Sequence, residues 1–409
     1  MTNIVKSSKR LLHPASLALG FFLLLTSALQ SQTLTPVDYQ PNLVIDYIND
    51  YRSKVNLPPF EWEPRLDSSS ELHSQYLFVA NGGKLSHNQD NPSSPLFRGR
   101  DPQARILRVY PQARAMGEVV GLTGNGKWQK IIDDLFDAPL HRIVLFERFQ
   151  RAGAGVKRGY SGKQLSLIGT VNFADFDDSV GEDHSVAWPY DGQEGVAIDW
   201  FANEMPSPIP LRYLGRRTGY PISLQFGKSV RLSNLHINLS AINSNRTDIH
   251  SEQTGFLNYS SDPDHYRQNQ NFVVFVPNRP LLANQTYRMV VTGVANGKVM
   301  IKSWEFKTLA IEPLRVIVSP DKSEYSRGEI INLRIAGGTG TYHNEKNSTY
   351  RVSYSYGSDQ RGVPVVVKPV SDSEYQLVNQ CSSVRNCKIQ LEFYDSASSV
   401  KQELNFVWY

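Results

Sequence analysis

The stretch IDYINDYRSKVNLPPFEWEPRLDSSSELHSQYL, residues 45–77, predicts two helices separated by a break. The LPPF segment ends the first helical pattern, because proline removes a backbone donor and fixes its own φ. A second pattern follows Pro64 and stops at the Asn81-Gly82-Gly83 turn. The apolar residues of the first helix recur every three or four positions, as on one helix face: Leu43, Val44, Tyr47, Ile48, Tyr51 and Val55.

A third helix and a hairpin follow these two helices. Residues 127–136 carry apolar side chains at helical spacing, namely Trp128, Ile131, Ile132 and Leu135. Two strand-like pieces come next, GAGVKRGY (residues 153–160) and QLSLIGTVNF (residues 164–173), joined by a turn at residues 160–162. Helices followed by a hairpin predict an α+β fold of packed layers.

The first 30 residues have the organisation of a secretory signal peptide. Lys6, Lys9 and Arg10 precede the apolar run LALGFFLLLTSAL, residues 17–29. That run is shorter than the roughly 20 apolar residues of a membrane-spanning helix. We therefore expect residues 1–30 to direct export, so that the protein is secreted or associated with the cell envelope. An uncleaved signal anchor is the alternative, and we predict no transmembrane span beyond this segment.

The charge of the chain bears on its possible partners, and its two cysteines bear on a disulfide or a metal site. The chain has 43 Lys and Arg against 39 Asp and Glu, a net charge of +4, and the basic residues are scattered. This pattern gives no indication of a nucleic-acid partner. The two cysteines, Cys381 and Cys387, are close in sequence. In an oxidising compartment such a pair predicts a disulfide, and no second pair exists to complete a zinc knuckle.

The rest of the chain divides by composition. Residues 179–218 are rich in Pro, Gly and Asp and predict a linker. Residues 219–310 and 311–409 contain short β-branched and aromatic runs bounded by turn residues. We therefore predict two all-β, Ig-like sandwich domains of roughly 100 residues each after the linker.

Three polar residues are the candidate functional site: His87, Glu118 and His141. They are distant along the chain, so they matter only if the fold brings them together. Two neutral imidazoles and a carboxylate suit zinc or another divalent cation, with a fourth position left for water. Without a metal, the histidines could exchange protons with the carboxylate. His73, on the second helix among Leu72 and Tyr76, resembles a fourth ligand, but a histidine on such a face is more often a packed or half-exposed residue.

Four sequence motifs in the N-terminal unit, in this order, resemble those of the CAP superfamily (SCP/TAPS) in its bacterial extracellular form. They are the opening stretch above, LSHNQD (residues 85–90), MGEVV (residues 116–120) and DLFDAPLHRIVLFERFQRAGAGV (residues 134–156). The resemblance covers residues 40–178 and implies a CAP-type α-β-α sandwich. It also implies that His87, Glu118 and His141 converge on a surface cleft.

The sequence departs from the family pattern where GEN has become Gly117-Glu118-Val119, where the family's helix tryptophan has become Leu135, and at the position of a second acid. In animal and plant members a second glutamate completes a tetrad, and here its position falls near Ala138, so that acid is missing. Asp134 and Asp137 are nearby but out of register. The unit behind the linker resembles the Ig-like domain that often follows bacterial CAP domains, through the segment NRPLLANQTYRMVVTG (residues 278–293).

The resemblance implies a non-enzymatic binding protein with a polar cleft. Its expected partner is an extracellular ligand, either a lipid, a sterol, a protein or a wall component. A metal-dependent hydrolase of peptide or cell-wall material is a second hypothesis, in which the two histidines and Glu118 hold zinc and its water. A third hypothesis is a structural surface adhesin that binds through its β domains.

Overall fold

The computed structural model describes residues 34–124, 126–242, 253–257, 270–312, 315–326, 328–337, 350–355, 365–369, 374–379, 386–394 and 399–407. The predicted signal segment, residues 1–30, lies outside these ranges, and so does Cys381. Only the backbone position of Cys387 is described, so the predicted disulfide stays a prediction. Within the described ranges, the helices are all too short or too polar to cross a bilayer.

The N-terminal unit (residues 34–178) is a three-layer α-β-α sandwich. Its helices are α1 (Pro41–Ser53), α2 (Pro64–Val79), α3 (Pro102–Val109), α4 (Trp128–Asp137) and α5 (Pro139–Leu145). Its strands are β1 (Glu61–Trp62), β2 (Met116–Thr123), β3 (Phe149–Ser161) and β4 (Gln164–Phe176), in the sheet order β1-β3-β4-β2. β1 runs parallel to β3, and the other pairs are antiparallel. The predicted helices and the β3–β4 hairpin are confirmed.

The helices begin where the sequence supplies helix-start signals. Four of them, α1, α2, α3 and α5, have proline in the first turn, where the missing N–H costs nothing. Glu63 caps α2 by accepting from the Arg65 amide, and Asp101 caps α3 by accepting from the Ala104 amide.

Each face of the sheet has its own apolar core. α1 and α4 cover one face, with Ile48, Ile131 and Val171 buried in the same apolar core. α2 covers the other face and approaches β3 very closely. A Cβ atom added to Gly155 would lie 2.1 Å from the Glu71 backbone nitrogen. Only glycine fits there, and this close approach fixes α2 on the sheet.

Two all-β sandwiches follow the N-terminal unit. The first β unit (residues 185–308) comprises β5 (Ser185–Trp188), β6 (Gln193–Val196), β7 (Asp199–Phe201), β8 (Arg217–Gly219), β9 (Ile222–Phe226), β10 (Leu232–Ala241), β11 (Gln253–Leu257), β12 (Phe272–Pro277), β13 (Thr286–Ala295) and β14 (Lys298–Thr308). Its main sheets have the orders β10-β13-β14-β6 and β11-β12-β9-β5, and β7 pairs with β8 in a separate ribbon. The two main sheets bury their facing side chains in one core.

The second β unit (residues 315–407) also has two sheets. Its strands are β15 (Arg315–Ser319), β16 (Ile330–Ala336), β17 (Tyr350–Ser355), β18 (Val365–Pro369), β19 (Glu374–Asn379), β20 (Asn386–Tyr394) and β21 (Ser399–Val407). The sheet orders are β15-β16-β19-β18 and β17-β20-β21. The predicted α+β class, with an α-β-α sandwich ahead of two all-β units, is confirmed.

The stretch predicted as a linker, residues 179–218, is instead part of the first β unit. β5 pairs with β9, and β6 pairs with β14, so each main sheet takes an edge strand from this stretch. Trp188 and Val196 are buried in the shared core. The Pro, Gly and Asp residues that indicated a linker mark turns between short strands.

The N-terminal unit and the first β unit share one continuous apolar core. Trp188 of β5 packs against Phe146, with ring centroids 5.4 Å apart. Arg142 of α5 is fully buried at this junction and donates from one nitrogen to the Pro221 carbonyl and to Ser223 Oγ, each at 3.1 Å. The first β unit is therefore docked on α5, next to His141.

Candidate binding cleft

Glu118 is the buried acid of the predicted site. It lies on β2, opposite Asn172 of β4, and its side chain is 1% exposed. One carboxylate oxygen, Oε2, accepts from Arg105 NH2 at 2.6 Å and from Asn172 Nδ2 at 2.9 Å. The other oxygen, Oε1, lies 2.9 Å from His87 Nδ1. Both oxygens are therefore occupied by protein partners.

The pKa of Glu118 lies below its usual value. Burial alone would raise it, but the hydrogen bond from His87 and the charge of Arg105 outweigh burial. Glu118 is therefore ionised at neutral pH and can only accept hydrogen bonds. His87 Nδ1 must donate the proton in this pair, which leaves Nε2 of His87 as the open ring nitrogen.

His87 lies on the loop after α2 and is the exposed member of the site, with 48% of its side chain accessible. Its neighbour in space, His73, is fully buried on α2, as predicted. Nε2 of His73 donates to the Ser86 carbonyl at 2.9 Å, and Nδ1 accepts from Gln89 at 3.2 Å. Burial lowers the pKa of His73 to about 4, so this ring stays neutral and holds the loop that carries His87.

His141 lies in the first turn of α5, with 18% of its side chain exposed. Its acidic partner is Glu204, from the segment between β7 and β8. Nδ1 of His141 lies 2.6 Å from Glu204 Oε1. The same oxygen accepts from the backbone amides of Leu140 and His141, each at 2.9 Å. Like His87, His141 has its Nδ1 against a buried carboxylate, and its Nε2 has no hydrogen-bond partner among the residues that the structure describes.

One cavity of about 350 Å³ brings the three predicted residues together, since His87, Glu118 and His141 all line it. β2 and α5 of the N-terminal unit form part of its wall. The loop that carries His87, the start of β3, the segment after β7 and one end of the first β unit form the rest. Its apolar lining comes from both units and consists of Met116, Leu140, Ile143, Val144, Phe149, Met205, Pro206 and Phe272.

Charged groups stand at one side of the cavity. Lys228, from the loop after β9, reaches to 3.9 Å from Glu147 Oε2 and lies 4.9 Å from the centre of the Phe176 ring. Burial raises the pKa of Glu147, and the charge of Lys228 opposes that effect. The cavity is thus lined by two imidazoles, the Lys228 side chain and a mixture of other polar and apolar groups.

The residues present do not fit the predicted three-ligand zinc site. Within the ranges that the structure describes, no group of three His, Cys, Asp or Glu side chains could hold a metal ion. The reason lies in Glu118, whose two oxygens are taken by Arg105, Asn172 and His87. The buried guanidinium of Arg105 also opposes a second cation there. Glu118 orients His87, and both of its oxygens already accept hydrogen bonds from protein groups.

Sequence reasoning found His87, Glu118 and His141 but missed Glu204, Lys228 and Arg105. Glu204 belongs to the stretch interpreted as a linker and carries no motif. Arg105 had a usable signal, because Asp101-Pro102 marks the start of a short helix that could carry a charged residue toward the sheet. Lys228 sits in an ordinary turn and could not have been singled out.

The N-terminal unit is an α-β-α sandwich, and its two histidines line one cavity. Residues 45–173 match the family model described as CAP: Cysteine-rich secretory protein family. The N-terminal unit is therefore a CAP domain, as its sequence motifs predicted. No curated protein matches the chain.

Solved structures that overlap the chain include multidomain β proteins. A chimeric titin Z1Z2 carrying a KLER exogenous peptide from decorin is 8% identical, covering 56% of this chain and 99% of that chain, with a TM-score of 0.26. The fibronectin(III)-like modules of Clostridium thermocellum CbhA are 13% identical, covering 55% and 93%, with a TM-score of 0.18. Similarity at this level carries no argument about the fold or function of this chain.

Proposed function

We propose that this protein is a secreted or envelope-associated CAP-domain binding protein that holds an extracellular ligand in the cleft between its CAP domain and its first β unit. The supporting observation is the shared cavity, which both His87 and His141 line, each with its Nδ1 against a carboxylate. A ligand that bridges the two rings would be held by hydrogen bonds from both sides. The ligand would be a lipid, a sterol, a protein segment or a wall component.

The lining of the cavity supports a ligand with both apolar and polar parts. Met116, Phe149 and Phe272 contribute apolar surface, and the imidazoles and Lys228 contribute hydrogen-bonding groups. Binding pockets commonly combine a mostly apolar wall with a few polar groups that fix orientation.

A binding role fits the cleft better than the hydrolase hypothesis. Metal-assisted hydrolysis needs a cation held by several protein ligands and a water bound to it. Glu118, the predicted third ligand, has both oxygens engaged by Arg105, Asn172 and His87. The hydrolase reading therefore lacks its third ligand.

The proposal is tested by binding measurements on the wild type and a His87→Ala/His141→Ala double variant. A panel of phospholipids, sterols, peptides and peptidoglycan fragments would be titrated into each protein, with metal analysis of both. We expect at least one class to bind the wild type and to lose tenfold or more in affinity in the double variant. His236→Ala, on the exposed face of β10, is the matched control.

An attachment assay on the same two proteins tests the adhesin hypothesis. If attachment to cells or wall material is the same in the wild type and the double variant, the β domains carry binding and the cleft proposal is wrong. A divalent metal bound stoichiometrically by the wild type and lost in the double variant would instead favour the metal-dependent reading.

A further inference from the structure

We infer that Glu204 is a positioning residue of the cleft, supplied to the CAP domain from outside it by the first β unit. Its role is to hold the His141 ring with Nδ1 turned inward and Nε2 toward the cavity. This inference rests on the proposed function, because it assigns a residue to that same cleft. It extends the site beyond the three residues that the CAP motifs contain.

The contacts of Glu204 are those of an orienting group. Three N–H donors converge on Oε1: the Leu140 amide, the His141 amide and His141 Nδ1. Because that oxygen already accepts from two amides, the ring nitrogen beside it must be a donor. The backbone contacts fix the carboxylate relative to α5, and the ring contact fixes His141 relative to the carboxylate. This is the arrangement by which a carboxylate sets the tautomer of a histidine.

Burial makes the placement of Glu204 specific. The residue is 4% exposed, and Oε2 has no hydrogen-bond partner among the described residues. Burying a carboxylate with one unpaired oxygen is unfavourable, so the three donors on Oε1 must offset part of that cost. The two amides of α5 and the His141 ring supply these donors together, so the carboxylate and the ring are held in one arrangement.

The segment that carries Glu204 is anchored on α5 by apolar packing. Trp200 and Ala202 are buried in one cluster with Ile143 of α5 and Phe272 of β12. Ala202 also exchanges backbone hydrogen bonds with Arg216 and Gly215 at 2.9 and 2.7 Å. Glu204 follows two residues later, so the β7–β8 ribbon presents it to the first turn of α5.

The acids closer to His141 in sequence are engaged elsewhere. Asp134 forms an ion pair with Lys130 on the exposed side of α4. Asp137 accepts from the Tyr220 hydroxyl at 2.8 Å. The family position for the second acid falls near Ala138, which has none. Glu204, which belongs to another domain, therefore supplies the acid that the sequence around His141 lacks.

The test is the proton position on the histidine rings, read from nitrogen-15 shifts of the imidazoles in the full chain. In the wild type we expect neutral His141 to carry its proton on Nδ1. Glu204→Ala should move a large share of that population to Nε2. Glu204→Gln keeps a neutral acceptor oxygen and should restore much of the Nδ1–H form. The His87 ring, paired with Glu118, should keep its state in both variants and serves as the internal control.

Two results would overturn the inference: a wild-type His141 whose proton sits on Nε2, or a folded Glu204→Ala variant whose His141 ring is unchanged. The wild-type measurement decides the matter even if the alanine variant fails to fold. A ring that responds to Glu204→Ala, in a protein whose ligand binding is insensitive to His141→Ala, supports the inference while contradicting the proposed function.

Discussion

The two histidines of the cleft are held in the same way by acids of very different origin. His87 is paired with Glu118, an acid of the central sheet of the CAP domain that is itself fixed by Arg105 and Asn172. His141 is paired with Glu204, which arrives from the following β unit. The first pair is part of the core of one domain, and the second pair exists only when two domains are docked.

This difference teaches that the cleft belongs to two domains together. The first β unit contributes the acid behind His141, part of the apolar wall and the ammonium group of Lys228. It shares a core with the CAP domain and buries Arg142 at the junction. A β unit serving only as a spacer would need none of these contacts.

The largest effect on stability is expected at the first pair. Glu118→Ala leaves the guanidinium of Arg105, which is 1% exposed, buried without its counter-charge. Removing one partner of a buried ion pair costs about 3–5 kcal/mol. Urea denaturation followed by tryptophan fluorescence should show this loss in the free energy of unfolding. Glu194→Ala, at an exposed position of β6, is the control and should change it by less than about 0.5 kcal/mol.

The stability of the protein should depend on pH through His73, which lies beside the His87–Glu118 pair. Burial lowers the pKa of His73 from 6.5 to about 4. Between these two pH values the unfolded chain binds a proton on this ring and the folded chain does not. Stability from this group is complete above pH 6.5 and decreases as the pH falls toward 4, by about 3 kcal/mol in all. Urea denaturation at a series of pH values should show this slope, and His73→Gln should reduce it. An identical slope in His73→Gln would contradict the assignment.

A smaller effect is expected at the second pair. Glu204→Ala removes the acceptor of two amides at the start of α5, a loss of about 1–2 kcal/mol by analogy with helix caps. The amides of Leu140 and His141 should exchange hydrogen faster, while the amides of β2 should not. A loss as large as that of Glu118→Ala would mean that the two pairs contribute equally to stability, and would contradict a second pair that depends only on domain docking.

The smallest effect on stability is expected at Lys228. Its side chain is about half exposed and its nearest carboxylate oxygen is 3.9 Å away. Such pairs contribute less than about 1 kcal/mol. Lys228→Met should therefore leave the unfolding free energy almost unchanged while altering the affinity of the cleft for an anionic ligand. Thermal denaturation and a titration on the same sample measure both quantities.

Local patterns in the sequence were sufficient for the CAP domain. Helical periodicity and the positions of proline predicted α1 and α2. The family motifs predicted that His87, Glu118 and His141 lie in one cleft. The same reasoning failed for residues 179–218, because short edge strands separated by Pro, Gly and Asp turns have the composition of a linker. Glu204 lies in that stretch, and its role depends on a docking between domains that no local pattern encodes.

The affinity of one ligand for two single variants, His87→Ala and His141→Ala, tests the central claim most directly. The ligand is the panel component that binds the wild type, titrated into each protein under the same conditions. If the two imidazoles hold one molecule in one cavity, each variant should weaken binding by about tenfold, the loss of about 1.4 kcal/mol for one good contact. An unchanged dissociation constant in either variant would contradict the shared cleft.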